Sequence, residues 1–168
     1  KIPEKKLTQM YYGCPSFFLP IQRSKALDVV KSRFRIMRPF LLSVGLLNRR
    51  KNQKMLIRAF RQRLWKTHDL VIVGKSAWWG KEILQLVGKD PSIHYLGPVS
   101  DQALLHLYSA AECLAFPSID EGFGFPLLEA MACGTPVIAT RCSSIPEVVG
   151  NAGLLVKPGS VKRFANAL

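Results

Sequence analysis

The sequence predicts an α/β fold: a Rossmann-like parallel sheet of about six strands with helices on both faces. Three observations predict it. Short apolar runs alternate with helical patterns from residue 40 onward, the alternation that βαβ crossovers produce. The helical segments carry one apolar face, as helices laid on a sheet must. Glycine and polar residues gather just after the apolar runs, where the open edge of such a sheet binds ligands.

The elements follow in order. A basic, Pro-interrupted stretch over residues 1–38 reads as a linker with one short helix, Lys25–Phe34, ahead of the α/β unit at 39–168. Phe40–Val44, Leu70–Val73, Ile93–Leu96, Cys113–Phe116 and Pro136–Ala139 read as strands, with Gly153–Val156 as a sixth. Gln53–Trp65 has Met55, Leu56, Ala59, Phe60 and Leu64 on one helix face, with Arg58, Arg61 and Arg63 mostly outside it. Lys81–Val87, Asp101–Ala110 and Pro126–Cys133 supply further helices. Ser100 suits an N-cap, and Pro126 suits a first helical position. Ser160 caps a last helix whose face holds Val161, Phe164, Ala165 and Leu168, and this helix reads as truncated.

Composition narrows the function classes. The 168 residues fit one domain, and 48% hydrophobic with 21% charged residues is ordinary for a globular chain. No run approaches the roughly 20 apolar residues needed to span a bilayer, and no stretch has signal-peptide layout. Cys14, Cys113, Cys133 and Cys142 form no CxxC pair, so buried free thiols at Cys113 and Cys133 and a reduced, cytoplasmic compartment are expected. The net charge of +13 is lopsided: residues 1–70 hold 17 Lys/Arg against 3 Asp/Glu, and residues 71–168 hold 7 against 8. The basic half is either solvated surface or an attractor of nucleic acid, anionic lipid or a phosphorylated small molecule.

The unusual residues meet at the sheet rim. The first strand runs into Gly45 and then Asn48–Arg49–Arg50–Lys51; the second ends at Gly74–Lys75 and the third at Gly97–Pro98, before Val99. The fourth leads into Ser118-Ile-Asp-Glu-Gly-Phe-Gly-Phe-Pro126. There Gly122 and Gly124 permit positive φ and close approach of backbone to a ligand, and the amides of the following helix suit an anion. Glu121 sits in the turn and Glu129 in the first turn of that helix, so two carboxylates can accept hydroxyls from two ends of one ligand. Dipole complementation is the simpler role for Glu129, and an ordinary tight loop is the simpler role for the glycines. Arg50 and Lys51 precede a helix N-terminus, a place for phosphate.

Other patterns point elsewhere or nowhere. No D-x-D occurs, His68, His94 and His106 lack ligand spacing, and neither G-x-G-x-x-G nor a P-loop follows the first strand. A metal site, a dinucleotide dehydrogenase and an NTPase are therefore disfavoured. Trp78–Trp79 reads as packing of the second βα loop.

PSIDEGFGFPLLEAMACGTPVIAT resembles the signature of glycosyltransferase family 4, retaining enzymes of the GT-B fold, with its two glutamates at Glu121 and Glu129. FLLSVG with RRKN, LVIVGKSAWW, IHYLGPVSDQALLHLYSAAE and SSIPEVVGNAGLLVKP are similar in order and spacing, and IPEKKL with YYGC resembles the linker entering the C-terminal domain. The resemblance implies the donor-binding half of a two-domain enzyme, with the N-terminal acceptor domain absent and this half inactive alone. It implies that Glu129 binds the ribose and Glu121 the donor sugar. Gly122, Phe123, Gly124 and Phe125 would lie along the sugar and diphosphate, Leu128 would also contact the nucleotide sugar, and Gly97 and Val99 would border the base. Lys51, with Arg50, would neutralise the diphosphate and assist departure of the leaving group, making these two and Glu121 the catalytic residues, while Gly45 and Lys75 would help bind the nucleotide sugar. It implies no cofactor and no bound metal. Many members carry Arg where this chain has Leu46. The pattern is similar to mannosyltransferases of surface-polysaccharide assembly, which makes GDP-mannose the first donor expectation, with UDP-linked and other GDP-linked sugars as alternatives. No nucleic-acid partner is expected, while peripheral contact with the inner face of the membrane is. The competing reading is a non-catalytic basic module for nucleic acid or anionic membrane.

Overall fold

The computed structural model describes residues 3, 6–76, 80–88 and 90–168; the Trp78–Trp79 packing expectation lies outside them. The elements are α1 (Arg23–Phe34), β1 (Phe40–Val44), α2 (Gln53–Arg63), β2 (Asp69–Val73), α3 (Gly80–Val87), β3 (Ile93–Gly97), α4 (Asp101–Ala110), β4 (Cys113–Phe116), α5 (Phe125–Ala132), β5 (Val137–Thr140), α6 (Ile145–Val149), β6 (Leu154–Val156) and α7 (Val161–Ala167). All six strands pair in parallel in the order β3-β2-β1-β4-β5-β6, the Rossmann order. Every predicted strand is present within about one residue at its ends, as expected where apolar runs are short and bounded by polar loops.

The sheet is covered on both faces. One core gathers Phe40, Leu42, Val71, Leu114 and Phe116 with Ala26, Val30, Tyr108, Leu127, Ala130 and Val149, so α1, α4, α5 and α6 lie on that face. The other gathers Leu41, Leu70, Ile72 and Ala115 with Leu56, Phe60, Ile83 and Phe164, placing α2, α3 and α7 opposite. The alternation of β1 side chains between the two clusters is the two-residue period of a strand. Phe18 and Ile36 are buried in the first core, so the segment ahead of β1 packs as part of the unit. Each fully buried Phe or Leu contributes roughly 1.5–3 kcal/mol, and Phe40, Phe60, Phe116 and Phe164 are all nearly inaccessible.

Caps fall largely where expected. Ser100 Oγ accepts from Ala103 N at 3.3 Å and Ser160 Oγ from Arg163 N at 3.2 Å. Two expectations shift, and one element is new. Helix α5 starts at Phe125, so Pro126 occupies its second position, not the first. Helix α2 stops at Arg63 and leaves Trp65 48% exposed. The short α6, which carries Pro146, was not expected from the sequence.

Candidate functional site

The strand order reverses between β1 and β4, and at such a switch point the loops after the two strands diverge and leave a crevice. The loop after β1 carries Gly45 and Asn48–Lys51; the loop after β4 carries Ser118–Gly124. Arg50 O accepts from Ile119 N at 2.8 Å and Asn52 Nδ2 donates to Pro117 O at 3.3 Å, so the loops are stitched together across the crevice.

Glu121 is the centre of this contact. It is 7% exposed, and a buried carboxylate needs partners. Its Oε1 accepts from Lys51 Nζ and from Ser118 Oγ, both at 2.6 Å, and its Oε2 accepts from Arg50 Nη1 at 3.0 Å. Arg50 Nη1 also donates to Asp120 O at 3.1 Å. Lys51 lies 4.6 Å above the centre of the Phe116 ring, and its stem packs where a Cβ on Gly45 would intrude, 3.0 Å from Lys51 Cε. Asn48 Oδ1 accepts from Lys51 N at 2.9 Å. The structure thus brings together Glu121, Lys51 and Arg50, three residues expected at one site.

Small polar residues brace the loop. Ser118 O accepts from the Thr140 hydroxyl and from Cys142 Sγ at 3.2 Å, and Ser143 Oγ donates to the Asp120 carboxylate. Ser144 Oγ donates to Glu121 O at 3.1 Å and to Phe123 O at 3.0 Å. Gly124 has φ of 100°, as the loop-to-helix turn requires, whereas Gly122 lies outside the left-handed range and keeps open space around it. The positive-φ expectation for Gly122 is corrected: its lack of a side chain leaves room and serves no turn. Phe123 and Phe125 rings pack at 5.1 Å, and both contact Tyr12, at 5.2 and 5.4 Å.

Glu129 is the fifth residue of α5, beyond the first turn, so the first-turn expectation and its dipole role are corrected. Its Oε2 accepts from the Tyr108 hydroxyl at 2.8 Å. Burial pushes the Glu129 carboxyl above its ordinary value, the Tyr108 hydrogen bond opposes this, and the Asp101 charge adds to it. Burial, then the Glu129 charge, raises the Tyr108 phenol well above its usual range. Leu128 is half-buried beside it.

The remaining expected residues line the same rim. Gly74 N donates to Gly97 O and Gly45 N to Val73 O, each at 2.9 Å, and Lys75 O accepts from Leu47 N at 2.9 Å. Gly97 has φ of 69° and Val99 is half-buried against the α4–α5 core. Leu46 is 43% exposed, and its carbonyl accepts from Gln53 Nε2 at 2.8 Å. A cavity of about 370 Å³ beside the crevice is lined by Asn48, Arg49, Asn52, Lys54, Glu82, Ile83 and Ile119. His94 is tied to Asp69 at 3.0 Å. All four cysteines are free thiols, with Cys113 and Cys133 buried, and burial lifts those two to about 12 and about 11. Among the described residues no group of three His, Cys, Asp or Glu stands close enough to hold a metal.

A parallel sheet in this order, with cations and a carboxylate meeting at its switch point, defines a Rossmann-like domain. The family profile described as glycosyl transferases group 1 matches residues 38–168, and the chain belongs to that family. It is 34% identical over 165 residues to the O-antigen chain mannosyltransferase B of Escherichia coli, covering 95% of this chain and 43% of that protein. It superposes on Anabaena Alr3699/HepE, solved in complex with UDP and glucose, with a TM-score of 0.80 and 25% identity over 93% of this chain and 44% of that one. The C-terminal domain of a glycosyl transferase group 1 protein (LpcC) from Francisella tularensis gives a TM-score of 0.74 at 26% identity, covering 89% of this chain and 82% of that one. The chain therefore spans less than half the length of the first two proteins and most of the third. Its fold is that of a GT-B glycosyltransferase domain.

Proposed function

We propose that this chain is the sugar-nucleotide donor-binding domain of a retaining glycosyltransferase that transfers a hexose to a glycan or lipid-linked acceptor, with GDP-mannose as the first donor. The observation that carries the reading is the meeting of Lys51, Arg50 and Glu121 across the β1–β4 crevice. Two cations there can neutralise a diphosphate and stabilise it as it leaves. Glu121 then accepts from the sugar and Glu129 from the ribose. The backbone of Gly122–Phe125 follows the sugar and diphosphate, and Gly97 and Val99 border the base. The mannosyltransferase relative supports mannose, whereas the UDP and glucose bound to Alr3699/HepE keep a UDP-linked donor as the second choice. Transfer itself would need an acceptor held in attack geometry against the donor. The same reading includes peripheral contact of the basic half, residues 1–70, with an anionic membrane surface.

A thermal-shift screen against GDP, UDP, ADP and their sugars tests the donor. A ligand at about 100 times its Kd stabilises the folded chain by about 2.7 kcal/mol, and GDP-mannose is expected to give the largest shift. EDTA is expected to leave that shift unchanged, because Lys51 and Arg50 do the neutralising. No shift with any nucleotide, or a shift that appears only with added Mg²⁺ or Mn²⁺, would count against the assignment.

A further inference from the structure

Glu121 already holds three donors before any ligand arrives. Both carboxylate oxygens are used, one by Lys51 and Ser118 and the other by Arg50. The two cations assigned above to the diphosphate are therefore already neutralised by an anion of the chain itself. The side chains of Glu121 and Lys51 are 5% and 11% exposed, while Arg50 is 43% exposed, so the Lys51 pair is the one shielded from water, where attraction is least screened.

We propose that Glu121 is a specificity-determining counter-ion. It holds Lys51 and Arg50 in the ligand-free site, competes with any diphosphate for them, and releases them at lowest cost to a ligand that also brings it a sugar hydroxyl. The inference rests on the donor-site reading and deepens it. A bare diphosphate that draws the cations away leaves a nearly buried carboxylate with Ser118 as its remaining donor, and sets phosphate charge beside carboxylate charge; both effects oppose binding. A sugar hydroxyl restores a donor to Glu121. The carboxylate cannot easily escape by moving, because Ser144 holds the carbonyls of Glu121 and Phe123 and Thr140 holds that of Ser118. The site is thereby biased toward the nucleotide sugar and against the nucleoside diphosphate that remains after transfer, which favours release of that product.

Inorganic pyrophosphate isolates the effect, since it has neither base, ribose nor sugar. In calorimetric titration of the chain, Glu121→Gln should bind pyrophosphate more tightly than the native protein by on the order of tenfold, the low end for one hydrogen bond to a charged group. The gain should vanish when Lys51→Gln is added, a coupling that a double-mutant cycle reads directly. Glu121→Asp keeps the charge but withdraws it by one methylene; it should show a smaller gain of the same sign and serves if the Gln variant does not fold. Equal or weaker pyrophosphate binding by the folded variants overturns the counter-ion role. If the native chain and both variants bind neither pyrophosphate nor any nucleotide, the donor-site reading falls and takes this one with it.

Discussion

The Glu129 carboxylate accepts from a fully buried tyrosine hydroxyl, Tyr108, yet burial still pushes its pKa upward. The sign follows from linkage. A carboxyl whose folded value lies above its unfolded value binds its proton more tightly in the folded chain. Its contribution to stability is therefore present at low pH and is lost as pH rises from the unfolded value through the raised folded one. Glu129→Gln removes the charge but keeps an acceptor for Tyr108, so its melting temperature should equal or exceed that of the native chain above this window. If Glu129 holds the ribose, the same substitution should weaken nucleotide and nucleotide sugar alike, by roughly 10- to 150-fold. Native affinity should likewise fall as acidification protonates Glu129. Thermal melts and calorimetry on one preparation check both halves; a lower melting temperature with affinity intact would assign Glu129 to the fold alone.

At the scale of elements, the rim depends on how closely the loops after β1 and β2 approach. Gly74 has φ of 138°, and a Cβ there would lie 2.1 Å from Gly45 O and 2.7 Å from Gly45 C. Backbone strain and overpacking each cost about 1–3 kcal/mol, so Gly74→Ala should lose roughly 2–5 kcal/mol in chemical denaturation. Because Gly45 packs on the Lys51 stem, it should also lose nucleotide binding. Native-like stability and binding in that variant would show that the approach is not required. The strands and the rim were legible in the sequence because apolar runs of four or five residues end at Gly45, Gly74 and Gly97. The five-residue α6 was not, since so short a segment carrying Pro146 cannot display a 3.6-residue period. The partners within the site were also hidden. Lys51 and Glu121 stand 70 residues apart in the chain, and only the placing of β1 beside β4 joins them. Ser118, Thr140 and Ser144 are small polar residues that nothing local marks as braces, and Tyr108 reads as one more position on the apolar face of α4.

At the scale of the whole molecule, exposed cations of α1 and α2 gather at one end of the sheet. Helices α1 and α2 lie on opposite faces of the sheet, but each leads directly into the start of a strand, β1 or β2. Their C-terminal ends therefore meet at the end of the sheet away from the crevice. Arg33, Arg35, Arg63 and Lys66 are exposed there, with Met37 70% and Trp65 48% exposed among them. Arg38 Nη2 donates to Trp65 O at 3.1 Å and Lys66 lies 5.5 Å from the Trp65 ring centre, so the two helix ends form one surface. Cations around an exposed tryptophan suit the headgroup region of an anionic bilayer, where each Lys or Arg contributes about 1 kcal/mol, and Trp and Tyr favour that depth. No helix among the described residues is long and apolar enough to cross a membrane, so any such contact made by these helices would be peripheral. Co-sedimentation with vesicles containing phosphatidylglycerol should succeed where phosphatidylcholine vesicles fail, and should weaken as added salt shortens the roughly 10 Å screening length at 0.1 M. Arg35→Glu with Lys66→Glu should abolish sedimentation, and Trp65→Ala should reduce it, while nucleotide binding at the opposite end stays unchanged. Equal binding to neutral vesicles, or binding indifferent to the charge reversals, would return these residues to the role of solvated surface.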